Sequence, residues 1–212
     1  MSFLKGLFSA DPQINFPEEM LDHDASKLDY VVIDCEMTGL NPKKDQLLSI
    51  AAVKISQGKI LSNQNFYKFI FQAEETLREE TILIHRLNHQ KVSEGRNQTT
   101  VLEEFSRFCH NCIPLGHFFN IDLSFLNPLL PSPFSYPHLD TRTIAQYLLK
   151  QNHPNTALQL EVLCDHFSIP HFEAHNALGD ATSTACLFLK LLSELRKQQI
   201  VSLHSLLLST NT

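Results

Sequence analysis

The sequence predicts an α/β fold: a mixed β-sheet flanked by helices, in a single domain. Three observations lead there. Strand-like apolar runs come first as a hairpin group. Strand-like and helix-like segments then alternate, an order that places helices against a sheet. The length of 212 residues, with 43 % apolar and 19 % charged residues, suits one globular domain with a substantial core.

Taken in order, residues 1–28 are polar, acidic and interrupted by Pro12 and Pro17, and read as an N-terminal arm. "YVVIDC" (30–35) is four apolar residues in a row and then an acid, the first strand. "LLSIAAVKI" (47–55) and "KILSNQNFYKFI" (59–70) are two more, joined by Ser56-Gln57-Gly58, a hairpin turn. The second of these three is nearly continuously apolar, which predicts an interior strand. "VLEEFSRFC" (101–109) has helical spacing at Val101, Leu102, Phe105 and Phe108. "IPLGHF" (113–118) reads as a fourth strand. "SFLNPLL" starts a helix cut by Pro128 and Pro131. "HLD" (138–140) is a short strand before the helix "TRTIAQYLL", and helices follow over 156–167 and 180–197. The organisation is then an arm (1–28), one domain (29–198) and a C-terminal tail (199–212).

Composition excludes several classes. A net charge of −6 does not announce broad electrostatic binding of nucleic acid, though a small site gripping a strand end is compatible with it. Five scattered cysteines do not form a disulfide framework. Cys109 and Cys112 make a C-x-x-C, but no second pair completes a four-ligand site, so buried thiols are expected. No apolar run approaches the roughly 18 residues of a membrane span, and the start "MSFLKGLFSADPQ" is not a signal peptide. The expectation is a cytoplasmic protein that does not bind membranes.

The chemistry lies in the acids. Asp34 and Glu36 fall two residues apart at the end of the first strand, hence on one side of it. Buried carboxylates so close repel unless a cation lies between them. Asp122 follows the fourth strand, and Asp180 opens the last long helix, five residues after His175. Either of these two could be an ordinary helix-start acid. Together the four could form a site for hard divalent cations, with a histidine beside it as general base.

"DCEMTGL" (34–40), "GHFFNIDLSFL" (116–126) and "HNALGD" (175–180) resemble, in order, the three motifs of the DEDDh 3′–5′ exonucleases. These belong to the ribonuclease H-like superfamily, which includes the proofreading epsilon subunit of bacterial DNA polymerase III. "IHRLNHQKV" (84–92), "LDTRTIAQYL" (139–148) and "LQLEVLCDHFSIP" (158–170) resemble further family segments, so the likeness spans roughly 29–195. The resemblance implies a ribonuclease H-like sheet. It implies two divalent cations, Mg²⁺ or Mn²⁺, held by Asp34, Glu36, Asp122 and Asp180, with His175 as general base. It implies hydrolysis from the 3′ end of DNA, single strands preferred, releasing 5′-mononucleotides. Met37, Thr38, Gly39 and Leu40 would form the floor for the strand end, with His85 and His117 near the nucleotide. Met37, Arg86, Phe118 and Ile121 depart from the usual family residues, which bears on substrate preference. "Glu-Met-Thr-Gly" is also similar to the oligoribonuclease branch, making short RNA or an RNA 3′ end the alternative substrate. A non-catalytic subunit associated with a DNA polymerase is the alternative of another class. The epsilon subunit uses a longer C-terminal segment than the roughly 15 residues that follow the last expected helix here, so a stand-alone repair role is expected before polymerase-bound proofreading.

Overall fold

The computed structural model describes residues 18–72, 93–134, 137–150, 153–173 and 176–210. Five strands form one sheet: β1 (Tyr30–Met37), β2 (Leu47–Ser56), β3 (Lys59–Phe69), β4 (Ile113–Gly116) and β5 (Leu139–Asp140). Their order is β3-β2-β1-β4-β5. The hairpin-linked strands pair antiparallel, while β1–β4 and β4–β5 are parallel. The expected mixed sheet is therefore present, and β2 is interior as its apolar run predicts. The β2–β3 turn has positive φ at both Gln57 (50°) and Gly58 (70°). That is the turn geometry whose twist matches the strands it joins.

The described residues also form helices α1 (Gln98–Cys109), α2 (Asn120–Leu126), α3 (Thr141–Leu149), α4 (Leu160–Phe167), α5 (Ala177–Lys197) and α6 (Leu203–Thr210). β1 explains how they divide. Its side chains alternate between faces. Val31, Ile33, Cys35 and Met37 pack with Phe105 of α1 and with Phe119 and Leu126 around α2. Tyr30 and Val32 pack on the other face with Ile144 of α3 and with Phe188 and Leu191 of α5. Asp34 and Glu36 continue this second face, which aims them at the layer that contains α5.

Residues expected as arm and tail meet each other. The Ala25 N–H donates to the Val201 carbonyl (2.8 Å) and the Leu203 N–H to the His23 carbonyl (3.0 Å). The Arg196 guanidinium bonds both oxygens of Asp24, at 2.7 and 2.6 Å. Arg196, with smaller help from Ser26, holds the Asp24 carboxyl down to about 2. Leu203, Leu206 and Leu207 of α6 are buried in the core that Leu149 and Leu195 share. Part of the stretch read as a C-terminal tail (199–212) is thus the helix α6, and eight residues carry too few turns for its period to stand out in the sequence. All five cysteines are free thiols, and burial pushes Cys109 up. Among the described residues no helix is long and apolar enough to cross a membrane.

Candidate active site

The parallel strands β1, β4 and β5 end at one edge of the sheet, where α/β folds place their sites. At that edge Asp34, Glu36 and Asp180 offer oxygens all within 4.8 Å of one another. Two of the acids come from one strand face. The third comes from the first turn of α5, which Asn176 caps through Leu178 N–H (3.0 Å) and Gly179 N–H (3.5 Å). Small residues let that helix end approach: Ala177 and Ala181 lie on Ala51 and Val53 of β2. Ala51 is the register partner of Asp34.

Gly179 is required for a different close approach. A Cβ there would run into the Glu173 carbonyl oxygen, backbone that cannot swing aside. Gly179→Ala is expected to cost about 1–3 kcal/mol by overpacking and to displace Asp180 next to it. Denaturant unfolding and a divalent-cation titration of the variant check both effects.

Asp122 reaches the same edge from the opposite layer. β1 outruns β4, whose pairing with β1 ends at Val32–Leu115. The Cys35 N–H, lying beyond that pairing, donates to Asp122 Oδ1 at 2.9 Å. The fourth acid is thus tied to the backbone between Asp34 and Glu36 and does not belong to the three-oxygen cluster. Burial pushes Asp122 up to about 7, against the hydrogen bonds that lower it. Burial also raises Asp34 well above its ordinary value, and the charges of Asp122, Glu36 and Asp180 raise it further. A cation among these groups relieves both penalties, and an all-carboxylate oxygen set suits a hard divalent ion.

The turn after β1 is built around Asp45. Its carboxylate accepts from Asn41 N–H (2.8 Å) and from Thr38 Oγ1 (3.4 Å). A Cβ on Gly39 would lie 2.6 Å from Asp45 Oδ2. The Thr38 N–H donates to the Gln46 carbonyl (2.9 Å), which closes the turn. Met37 is buried in the core and Leu40 is 73 % exposed. Lys43 and Lys44 are exposed on the same turn.

His117 has both ring nitrogens occupied, Nδ1 with Thr141 Oγ1 (2.8 Å) and Nε2 with the Leu158 carbonyl (2.9 Å). Because a carbonyl only accepts, Nε2 carries the hydrogen. Burial lowers the His117 pKa, and Thr141 Oγ1, 2.8 Å from Nδ1, also donates to the Gly116 carbonyl at 3.2 Å. His117 therefore ties β4 to α3 and to the segment before α4. His85 and His175 lie outside the described residues.

Sequence reasoning missed two neighbours of the acids. Tyr67 stands across Ala51 from Asp34, and Ser49 directly opposite Glu36. The Tyr67 hydroxyl is pushed up to about 12 by burial and then by Glu36, Glu173 and Asp34. Ser49 Oγ is buried beside the acids with no hydrogen-bond partner among the described residues. Only strand register reveals either residue, and register is not written in one strand's sequence.

The exonuclease family (RNase_T) matches residues 31–188, and the chain belongs to that family. It is 29 % identical over 192 residues to a DNA polymerase III PolC-type protein of Thermotoga petrophila, covering 88 % of this chain and 14 % of that protein. It is 28 % identical over 187 residues to a DNA polymerase III subunit epsilon-like protein of Rhodobacter capsulatus, covering 85 % and 26 %. The chain thus spans a minor part of these curated relatives. Among solved structures, E. coli exonuclease I in complex with a dT13 oligonucleotide superposes with a TM-score of 0.68 at 18 % identity, over 82 % of this chain and 43 % of that one. Cell-death related nuclease 4 gives 0.65 at 13 % identity, over 79 % and 64 %. The fold and family expected from the motifs are those found.

Proposed function

We propose that this chain is a divalent-cation-dependent 3′–5′ exonuclease that shortens single-stranded DNA and releases 5′-mononucleotides. The observation that carries this reading is the cluster of Asp34, Glu36 and Asp180 at the carboxyl edge of an exonuclease-family sheet. Those acids, with Asp122, would hold Mg²⁺ or Mn²⁺, which when bound supplies positive charge for the phosphodiester and makes water more acidic.

The chain's own residues do the rest. Asp122, anchored on the Cys35 N–H, fixes the strand that carries Asp34 and Glu36. His175, five residues before Asp180, takes the proton from the attacking water. The water oxygen bonds to phosphorus, the bond to the 3′-oxygen of the next nucleotide breaks, and that oxygen takes up a proton. Leu40, exposed on the turn, wedges against the terminal base, and Lys43 and Lys44 attract the phosphate backbone. The PolC-type and epsilon-like relatives make a DNA polymerase a candidate partner.

Matched DNA and RNA oligonucleotides, labelled at the 5′ end, test the reading. With Mg²⁺ or Mn²⁺ the DNA should shorten one nucleotide at a time, and EDTA should stop it. Faster digestion of RNA would move the substrate to RNA through tolerance of the 2′-hydroxyl. No digestion of either, with strand binding retained, would make the chain a binding subunit.

A further inference from the structure

We propose that Phe118, backed by Arg142, is a stacking platform for one nucleobase of the bound strand; the proposal rests on the nuclease reading above. Phe118 leaves the end of β4 at the same sheet edge as the acids, four residues before Asp122. Its φ is 54°, in the left-handed region that a bulky aromatic rarely occupies. The Asp140 carboxylate holds it there. Oδ1 accepts from the Phe118 N–H and Oδ2 from the Phe119 N–H, each at 3.1 Å, and Oδ1 also accepts from the Arg142 N–H at 2.8 Å. One carboxylate thus pins the aromatic and the first turn of α3 together. Strain maintained by such surrounding bonds is characteristic of ligand-binding positions.

The strained backbone presents a large apolar side chain to water: Phe118 is 37 % exposed. Single exposed apolar residues are ordinary, but this one is fixed in place. The Arg142 guanidinium carbon lies 4.7 Å from the ring centroid. The His117 ring meets it edge-on, with centroids 5.1 Å apart and planes at 86°, and His117 is itself locked at both nitrogens. With the guanidinium over the ring and the His117 contact beside it, Phe118 still keeps part of its surface open to solvent. Arg142 Nε is buried without a hydrogen-bond partner among the described residues, and the Asp140 carboxylate is engaged by three N–H groups. An aromatic face with a cation behind it is what an unpaired base and its phosphate require. Leu40 is exposed on the turn after β1, at the same sheet edge.

The test is equilibrium binding of a fluorescent oligothymidylate by the full chain with Ca²⁺ in place of Mg²⁺. It is repeated with strands carrying one abasic nucleotide at successive positions from the 3′ end. Phe118→Asn and Phe118→Leu should weaken binding of the intact strand by about tenfold, the weight of one base–aromatic stack, and Phe118→Tyr should restore it. The wild type should lose the same factor at one abasic position, where Phe118→Asn should lose nothing further. Since Asn accepts left-handed backbone, Phe118→Asn should unfold at or above the wild-type temperature, separating lost stacking from lost folding. Arg142→Gln should flatten the salt dependence of binding. Unchanged affinity in Phe118→Asn, or equal losses at every abasic position, would overturn the platform, as would wild type that binds no strand. A wild type that binds DNA through Phe118 but does not shorten it when Mg²⁺ or Mn²⁺ replaces Ca²⁺ would instead overturn the nuclease reading and leave the platform standing.

Discussion

Asp34→Asn should abolish degradation while making the metal-free protein more stable. The two effects have one cause. Asp34 sits among three other acids with its carboxyl raised well above the ordinary range, by burial first and then by Asp122, Glu36 and Asp180. A carboxyl with a raised folded-state pKa binds its proton more tightly folded than unfolded. Its contribution to stability is present below about pH 4 and is lost as pH rises through the raised value. At pH 7.5 without cations the wild type therefore carries a penalty that the neutral amide removes. Thermal unfolding in EDTA should occur at higher temperature for Asp34→Asn, by roughly 2–4 °C for each kcal/mol relieved. Mn²⁺ taken up by the folded wild type should raise the wild-type midpoint and reverse the order. Turnover should fall on the order of 10³-fold or more, because several kcal/mol of charge stabilisation are removed. A variant with wild-type turnover, or one less stable than wild type in EDTA, would show that Asp34 is not part of a cation site.

His175→Ala should lose turnover by about 10²–10⁴-fold, the weight of a general base, while strand and cation binding persist through the four acids. His175→Asn should behave alike, keeping polarity without basicity. To accept a proton the imidazole must be neutral, so wild-type turnover should rise with pH through about 6.5. That rise should vanish from the residual activity of both variants. Saturating Mn²⁺ is needed, because cation binding also strengthens as carboxylates lose protons. Nearly wild-type turnover in either variant at neutral pH would remove His175 from the reaction. So would a residual activity that keeps the same slope near pH 6.5.

Much of this site was legible because the signals are local. The apolar run before Asp34 announces β1, and two-residue spacing puts Asp34 and Glu36 on one face whatever the sheet order. Asp180 was legible as the opening of a long periodic helix, and the structure brings it to the same cluster. Asp122 was legible as a member, but not its attachment. Its bond to the Cys35 N–H depends on β4 ending before β1 does, a property of two strands together. The same limit hid Tyr67 and Ser49, which join the acids only through the β1–β2–β3 register. His117 read as a residue near the nucleotide, and its bonds to Thr141 and Leu158 come from elements 24 and 41 residues away. Leu40 read as part of the floor for a strand end. Its exposure follows from the Asp45-centred turn, in which Gly39 gives the carboxylate room.

Product analysis of a single-stranded DNA oligonucleotide tests the central claim most directly. The strand carries a label at its 5′ end in one sample and a 3′-phosphate in another. With Mn²⁺ the wild type should convert the first into a descending ladder, with 5′-mononucleotides identified by mass. The 3′-phosphate should block the second, since an acidic site built for a free 3′ end meets an added dianion. Asp34→Asn should leave both strands intact. Internal fragments, nucleoside 3′-phosphates or equal digestion of the blocked strand would contradict a 3′–5′ exonuclease centred on Asp34, Glu36 and Asp180.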